Sequence, residues 1–248
     1  MNFYKLKLMI LILTMILFLF SCDKINISSE NSTNSKTDTK ETNSAPKDDL
    51  TIELESTSKT HLEELNLNNS LFSTKEIVEI INKYASTIEK TGTELGLNYN
   101  LIKSIIFREQ LLFNFDDYFA DSLVENYYKE KDENTEDVNN KTDSSTGLGQ
   151  IFAKTAISAE NTINKSEMSI DNSDDIKDMW FNLQNDETNI YYIGLVLKEK
   201  VVNNNIDLSS NNPDSLMKLF EKYNGNGDEA VQYGNQTYDY YTIFEKYK

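Results

Sequence analysis

The stretch LIKSIIFREQLLFNF, residues 101–115, indicates how this chain folds. On an α-helix, where each residue advances about 100° around the axis, its apolar side chains gather on one face. That face consists of Ile102, Ile105, Ile106, Leu112 and Phe113. Glu109 falls inside the face, while its neighbours Arg108 and Gln110 point away to either side. The pattern predicts a helix that packs against other helices, and the carboxylate within the apolar face needs its own explanation.

Two explanations account for a glutamate in this position. In the first, its methylene groups pack while the carboxylate reaches the surface or meets a basic partner. In the second, desolvation raises the pKa of Glu109 so that it holds a proton near neutral pH, as a general acid must. The stretch by itself leaves both explanations open.

The rest of the chain also favours helices. In STKE, Ser73 and Glu76 form a capping box that predicts a helix over residues 74–90. Helical spacing recurs over residues 150–161, 174–184, 187–203, 213–223 and 237–247. No stretch shows the sustained alternation and hairpin turns of a sheet. We therefore predict a single, mostly α domain over residues 73–248.

The N-terminal residues 1–21 are typical of an export signal. Lys5 and Lys7 precede an apolar run that is too short for an ordinary membrane span, and Cys22 follows as the only cysteine. The sequence LFSC resembles the lipobox of bacterial lipoproteins, in which the cysteine is acylated. It implies an extracytoplasmic protein anchored to the cell membrane through Cys22; an uncleaved N-terminal anchor is the alternative.

Residues 22–72 have the composition of a disordered tether. Ser, Thr, Asn, Lys and Glu dominate this segment. LTIELES, residues 50–56, alternates like a strand, but a single strand has no partner, so we assign it to the tether. The only histidine, His61, also falls here, which argues against Ser-His or Cys-His catalysis and a histidine-based metal site in the domain.

The charge of the chain limits its partners. With a formal net charge of -17 the sequence lacks the basic face that nucleic-acid binding requires. An acidic surface also repels anionic lipid, so we expect membrane contact only through the N-terminal anchor. We expect neither a cofactor nor a metal.

A second stretch, SSTGLGQIFAKTA at residues 144–156, bears on Glu109. A glutamate that ends an apolar helix, followed by GLGQI and then TA, resembles the soluble-lytic-transglycosylase type of peptidoglycan lyase, whose familiar run is Gly-Leu-Met-Gln-Ile. NIYYIG at residues 189–194 and KYNGNG at residues 222–227 are similar to two later motifs of that family, in the same order. The resemblance covers residues 73–248 and implies a lysozyme-like fold with a groove for a glycan strand.

The resemblance also implies roles for individual residues. Glu109 matches the single catalytic acid, Gln150 the residue that hydrogen-bonds a substrate sugar, and Tyr223 the tyrosine that faces the catalytic carboxylate. Asn189 matches a position that supports the fold and the wall of the cleft.

Three positions depart from the family pattern. Gln110 stands where serine is usual, and Lys141 stands where the family often has a serine near the reaction. Gly149 replaces the usual methionine, and we expect it to open room beside the scissile bond. These departures affect substrate contacts but leave the catalytic acid in place.

The segment at about 114–143 is an insertion relative to compact family members. DDYFADSLVENYYKE predicts an extra helix, with a polar loop after it, and the insertion would form a wall or a lid of the cleft. Acidic and amide residues of the loop fall at EF-hand positions, but Asp137 replaces the required glycine and Asp143 replaces the final glutamate. A solvated acidic loop fits better than a calcium site.

The resemblance implies cleavage of the β-1,4 bond between N-acetylmuramic acid and N-acetylglucosamine, with Glu109 as acid and then base and a 1,6-anhydro product. One alternative is a hydrolytic muramidase that uses a second carboxylate. The candidates for that carboxylate are Asp116, Asp117, Asp121 and Asp143. Another alternative is a non-catalytic lipoprotein that binds glycan or acts as a scaffold for cell-wall machinery.

Overall fold

A computed structural model describes residues 48–67, 70–132, 141–209 and 212–248. These residues form ten helices and no strand, with one isolated bridge between Thr146 and Ile151, so the prediction of a mostly α fold is confirmed. No helix within these ranges is long and apolar enough to cross a membrane. The predicted signal, Cys22 and most of the loop positions compared with an EF-hand lie outside the described residues.

The helices follow one another in short succession. Their bounds are α1 Asp49–Glu64, α2 Thr74–Lys83, α3 Ala85–Leu95, α4 Tyr99–Leu112, α5 Phe115–Asp132, α6 Ala153–Ile163, α7 Ser173–Leu183, α8 Asp186–Asn203, α9 Pro213–Asn224 and α10 Asp228–Lys246.

Helix α1 lies inside the segment predicted to be a disordered tether, and that prediction is wrong for this part of the chain. Asp48 caps the helix, and Thr51, Leu54, Ser58 and His61 are buried along one stripe. The imidazole of His61 lies 2.9 Å from the Tyr240 hydroxyl and 3.0 Å from a carboxylate oxygen of Asp239, which fastens α1 to α10. LTIELES alternates over too few residues to distinguish a strand from a helix, and the burial of Leu54 against the domain decides for the helix.

The region predicted as one helix over residues 74–90 is instead two helices. The capping box of Ser73 and Glu76 is present at the start of α2. At Tyr84 the backbone leaves the helical region, and the Tyr84 hydroxyl donates a hydrogen bond of 2.5 Å to Asp186 at the start of α8. The break thus lies at a residue that contacts a distant helix, and local spacing does not reveal it.

Helix α4 lies at the centre of the fold. Ile102, Ile105 and Ile106 are fully buried, as the apolar face predicts, and α4 packs against α2, α3, α8 and α10. Leu112 and Phe113 at its end are only half-buried. The helix thus runs from the core to a surface cleft, and Glu109 lies at the boundary between the two.

The insertion forms the predicted extra helix, α5. Val124 and Tyr128 bury one side of it, and the Tyr128 hydroxyl donates a hydrogen bond of 2.7 Å to the carbonyl of Thr142. Asp121 accepts hydrogen bonds from the hydroxyls of Ser144 (2.7 Å) and Thr146 (2.8 Å). Helix α5 is therefore joined to the segment that leads into the GLGQ turn, residues 147–150.

Candidate active site

Glu109 lines a cleft of about 590 Å³. The end of α4, the start of α5 and the GLGQ turn supply three of its sides, and the junction of α9 and α10 supplies another. The sequence-predicted residues Glu109, Gln150 and Tyr223 all line this cleft. Leu65 and Leu67, from the segment after α1, also line it.

The carboxyl group of Glu109 is held by one strong hydrogen bond. The Tyr233 hydroxyl donates to its Oε1 over 2.6 Å. Burial raises the pKa of Glu109 to about 7, although the Arg108 charge and the Tyr233 hydrogen bond pull it downward and Asp117 pushes it upward. Near neutral pH the group therefore exists in both protonation states, which a carboxyl acting first as acid and then as base requires.

Tyr223 lies in the cleft but does not make the hydrogen bond to Glu109. Its hydroxyl donates to the carbonyl of Gly149 over 2.9 Å. Its ring lies nearly parallel to that of Tyr233, with centroids 6.4 Å apart and an interplanar angle of 13°. Burial and, to a smaller extent, the charge of Glu109 raise the pKa of the Tyr223 phenol. The two tyrosines form a stacked pair in which Tyr233 contacts the carboxyl group.

Asn189, which is fully buried, supports the GLGQ turn through its side-chain hydrogen bonds. Its side-chain oxygen accepts from the backbone N–H of Gly149 over 2.8 Å, and its amide donates to the carbonyls of Thr146 and Leu183 over 3.0 and 3.1 Å. Gly147 has φ +74°, and a Cβ there would lie 2.1 Å from the Asn189 amide nitrogen. Asn189 is not among the residues that line the cleft. It supports the turn and does not present a group to a ligand.

The room expected beside Gly149 is already filled. A Cβ at Gly149 would lie 2.3 Å from Cγ1 of Ile193 and 2.9 Å from the Tyr223 hydroxyl. The expectation that this glycine opens space beside a scissile bond is therefore wrong. Glycine is needed here because Ile193 of α8 packs directly against the turn.

Gln150 is the turn residue that faces the cleft. Its φ is +47°, and its Nε2 donates to the carbonyl of Gly147 over 2.9 Å while its Oε1 accepts from the Ser145 hydroxyl over 3.3 Å. Beneath it, Nε2 of Gln110 donates to the carbonyl of Leu148 over 3.1 Å. Gln110, expected to point away from the apolar face, is buried and joins α4 to the turn.

Of the four aspartates considered as a second carboxylate, Asp117 lines the cleft. Burial raises its pKa, and its carboxylate accepts from the backbone N–H of Asn114 over 3.0 Å. Asp121 is engaged by Ser144 and Thr146. Asp143 accepts from the backbone N–H groups at the start of α6, and Asp116 is exposed. Asp117 is thus the aspartate of this set that shares the cleft with Glu109.

Tyr233 is the site residue that sequence reasoning missed. The predicted last helix began at residue 237, whereas α10 begins at Asp228. Ala230, Tyr233, Thr237 and Tyr240 are buried at spacings of three and four residues, so a helical pattern was present to place Tyr233 on the inner face. Its pairing with Glu109 spans 124 positions, and nothing local indicates that contact.

Among the described residues no group of three or more His, Cys, Asp or Glu side chains could hold a metal ion. No protein-family model, curated protein or solved structure matches the chain.

Proposed function

We propose that this protein is a peptidoglycan lytic transglycosylase that cleaves the β-1,4 bond between N-acetylmuramic acid and N-acetylglucosamine. The observation that carries the proposal is Glu109, a carboxyl group in an open cleft with a pKa of about 7 and a hydrogen bond of 2.6 Å from Tyr233. The motif order around Glu109, Gln150, Asn189 and Tyr223 supports it, because it resembles that of such lyases. On this proposal the described domain has a lysozyme-like fold.

In the first step, protonated Glu109 gives its proton to the glycosidic oxygen. The bond from this oxygen to C1 of muramic acid breaks, and positive charge develops on the sugar ring. Because Tyr233 engages Oε1, Oε2 is the oxygen that transfers the proton.

In the second step, the Glu109 carboxylate takes the proton of the muramic acid C6 hydroxyl. The freed O6 attacks C1 and closes the 1,6-anhydro ring, so no water is consumed and Glu109 returns to its protonated form. One carboxyl group performs both transfers, which suits a pKa close to the working pH.

The other cleft residues would hold the sugars. Each end of the Gln150 amide makes one hydrogen bond within the turn, so a second N–H donor and a second acceptor lone pair remain for a sugar, and the Tyr223 hydroxyl lies beside the turn. Asn189 acts indirectly, by keeping the turn in the conformation that presents Gln150.

Hydrolysis is the second candidate, and the position of Asp117 in the same cleft favours it. In that reaction Asp117 would activate a water molecule or stabilise the cation while Glu109 remains the acid. The Asp117→Asn variant separates the two reactions, since hydrolysis needs this carboxylate and the lyase reaction does not.

The proposal is tested by release of soluble fragments from purified peptidoglycan. We expect Glu109→Gln to abolish release while binding to the wall persists, and Glu109→Gln with near-normal release would contradict the assignment. Loss of turnover in Asp117→Asn, together with reducing muramic acid ends on the wild-type products, would move the assignment to hydrolysis. If the wild-type protein binds the wall and releases nothing, the chain is a glycan-binding or scaffold protein.

We also propose that the protein acts outside the cytoplasmic membrane, anchored through a lipid on Cys22. The sequence LFSC and the preceding apolar run support this placement. Metabolic labelling with a fatty-acid probe tests it, because Cys22→Ser should lose the label and leave the membrane fraction.

A further inference from the structure

Arg108 is a buried cation whose charge acts on the neighbouring Glu109 but whose guanidinium group forms no salt bridge with a described carboxylate. It is 7 % exposed, and it lines the cleft. Its Nε is buried and has no hydrogen-bond partner. No carboxylate of the described residues lies within 4.0 Å of its guanidinium nitrogens.

A buried guanidinium in this position destabilises the folded protein unless an anion pairs with it. Removing a charge from water carries a large free-energy penalty, which a well-placed counter-ion offsets. The face of the Tyr233 ring, with its centroid 4.8 Å from Cζ of Arg108, provides part of the compensation. A ring face leaves the N–H donors at the edge of the guanidinium unpaired, and their planar fork suits a carboxylate.

The rest of the cleft makes Arg108 a selective site for an anion. Of the described residues that line it, Glu109, Asp117 and Glu229 carry carboxylates, and Arg108 is the one lysine or arginine. An anionic ligand that enters this acidic cleft is therefore stabilised at one place, next to the carboxyl group proposed to perform the reaction.

We propose that Arg108 binds the lactyl carboxylate of muramic acid, which makes glycan strands stripped of their stem peptides the preferred substrate class. This inference rests on the proposed function. The lactyl group sits on C3 of the sugar whose C1 reacts at Glu109, so its carboxyl group is the acidic group of the substrate nearest the reaction. In peptide-bearing strands that carboxyl is a neutral amide, whereas in stripped strands it is a free carboxylate. Carboxylates further along a stem peptide lie several bonds further from Glu109.

The test measures binding in the Glu109→Gln background, so that it does not depend on turnover. Titration calorimetry compares glycan strands stripped by an amidase with the same strands carrying stem peptides. We expect stripped strands to bind more tightly, and Arg108→Gln to weaken their binding about tenfold or more, as for a charge-assisted hydrogen bond. The loss for peptide-bearing strands should be much smaller, and Arg108→Lys should recover part of the affinity because it keeps the charge.

Lys154→Gln is the matched control. Lys154 is exposed on α6 and does not line the cleft, so this variant makes the same change in net charge. Unfolding midpoints of the Arg108 variants report whether they fold, and the ratio between the two substrates cancels a general loss of active protein. If Arg108→Gln lowers the affinity for both substrates equally, the inference is overturned and Arg108 is a positioning residue for Tyr233. Tighter wild-type binding to peptide-bearing strands would overturn it as well.

The outcomes distinguish this inference from the proposed function. Arg108-dependent binding of stripped strands by a protein that releases no product would support the inference and reject the enzyme. If the protein turns over peptidoglycan but the Arg108 variants do not change the ratio of affinities for stripped and peptide-bearing strands, the enzyme is supported and the inference is rejected.

Discussion

The hydroxyl of Tyr233 donates a 2.6 Å hydrogen bond to Oε1 of Glu109, and this contact joins the first turns of α10 to the end of α4. Tyr233 itself is held by the stacked ring of Tyr223 on one side and the guanidinium of Arg108 on another. The carboxyl group is thus fixed through one oxygen by an ordered tyrosine, while the cleft has access to the other.

Replacing Tyr233 by phenylalanine should lower the rate and move its pH dependence. The hydrogen bond lowers the pKa of Glu109, so its loss should raise that pKa and shift the alkaline limb of kcat/KM to higher pH. We expect the maximal rate to fall about tenfold because the carboxyl group loses its orientation. Tyr238→Phe, on the same helix outside the cleft, is the control. Superimposable pH profiles for wild type and Tyr233→Phe would contradict this role.

The raised pKa of Glu109 should also appear in the pH dependence of stability. Above the ordinary pKa of 4.5 the unfolded chain loses this proton, whereas the folded protein keeps it until about pH 7. The folded state therefore binds the proton more tightly, and the free energy of unfolding should fall as pH rises from 4.5 to 7, by on the order of 3 kcal/mol from this group.

Glu109→Gln removes that contribution. Its stability advantage over the wild type should be small at pH 4, grow between pH 4.5 and 7 and then stay constant. Urea unfolding of both proteins at several pH values gives their free energies of unfolding. Subtracting the wild-type value from that of Glu109→Gln removes the contributions of all other titrating groups. A difference that does not vary with pH would show that Glu109 ionises at its ordinary pKa.

Gly149→Ala should destabilise the protein. The added Cβ would meet Cγ1 of Ile193 at 2.3 Å, and forcing an extra carbon into such a contact costs about 1–3 kcal/mol. Ile193→Ala should relieve part of this cost, so the double variant should lose less stability than the sum of the two single variants. Chemical denaturation of the wild type, the two single variants and the double variant gives the coupling energy between positions 149 and 193. An alanine tolerated at Gly149 without loss would show that the space beside the turn is open.

Helix α1 should contribute to the stability of the domain. Leu54 is fully buried in α1, so Leu54→Ala should lower the free energy of unfolding by about 2–5 kcal/mol. Ile52 on the same helix is 51 % exposed and provides the matched control, Ile52→Ala, with an expected change of less than 1 kcal/mol. Equal small changes in both variants would mean that α1 is not docked in solution. Test proteins should accordingly begin before Asp48 and not at Ser73.

Local patterns in the sequence predict much of the helical structure, including the buried face of the helix that carries Glu109. Apolar spacing places Ile102, Ile105 and Ile106 in the core, and the capping box marks the start of α2. These features depend on residues within a few positions of one another, so spacing alone carries them.

The parts that could not be predicted depend on contacts between distant segments. Tyr84, at which one helix ends, donates a hydrogen bond to the distant Asp186, and Ile193 fills the space that a glycine at 149 leaves. Helix α1 is stabilised by burial of His61 and Leu54 against the domain, although its sequence is largely polar. No local rule specifies which side chain of another helix reaches a given position, and this is also why Tyr233 was missed.

The role of Glu109 in glycan cleavage can be tested by mass spectrometry of the soluble fragments that residues 45–248 release from purified peptidoglycan, with Glu109→Gln as the control. We expect muropeptides with 1,6-anhydromuramic acid ends, each lighter by one water molecule than the hydrolysis product, and none from the control. Products with reducing muramic acid ends would contradict the one-carboxyl mechanism and direct attention to Asp117, and fragments released equally by Glu109→Gln would contradict the assignment of Glu109 itself.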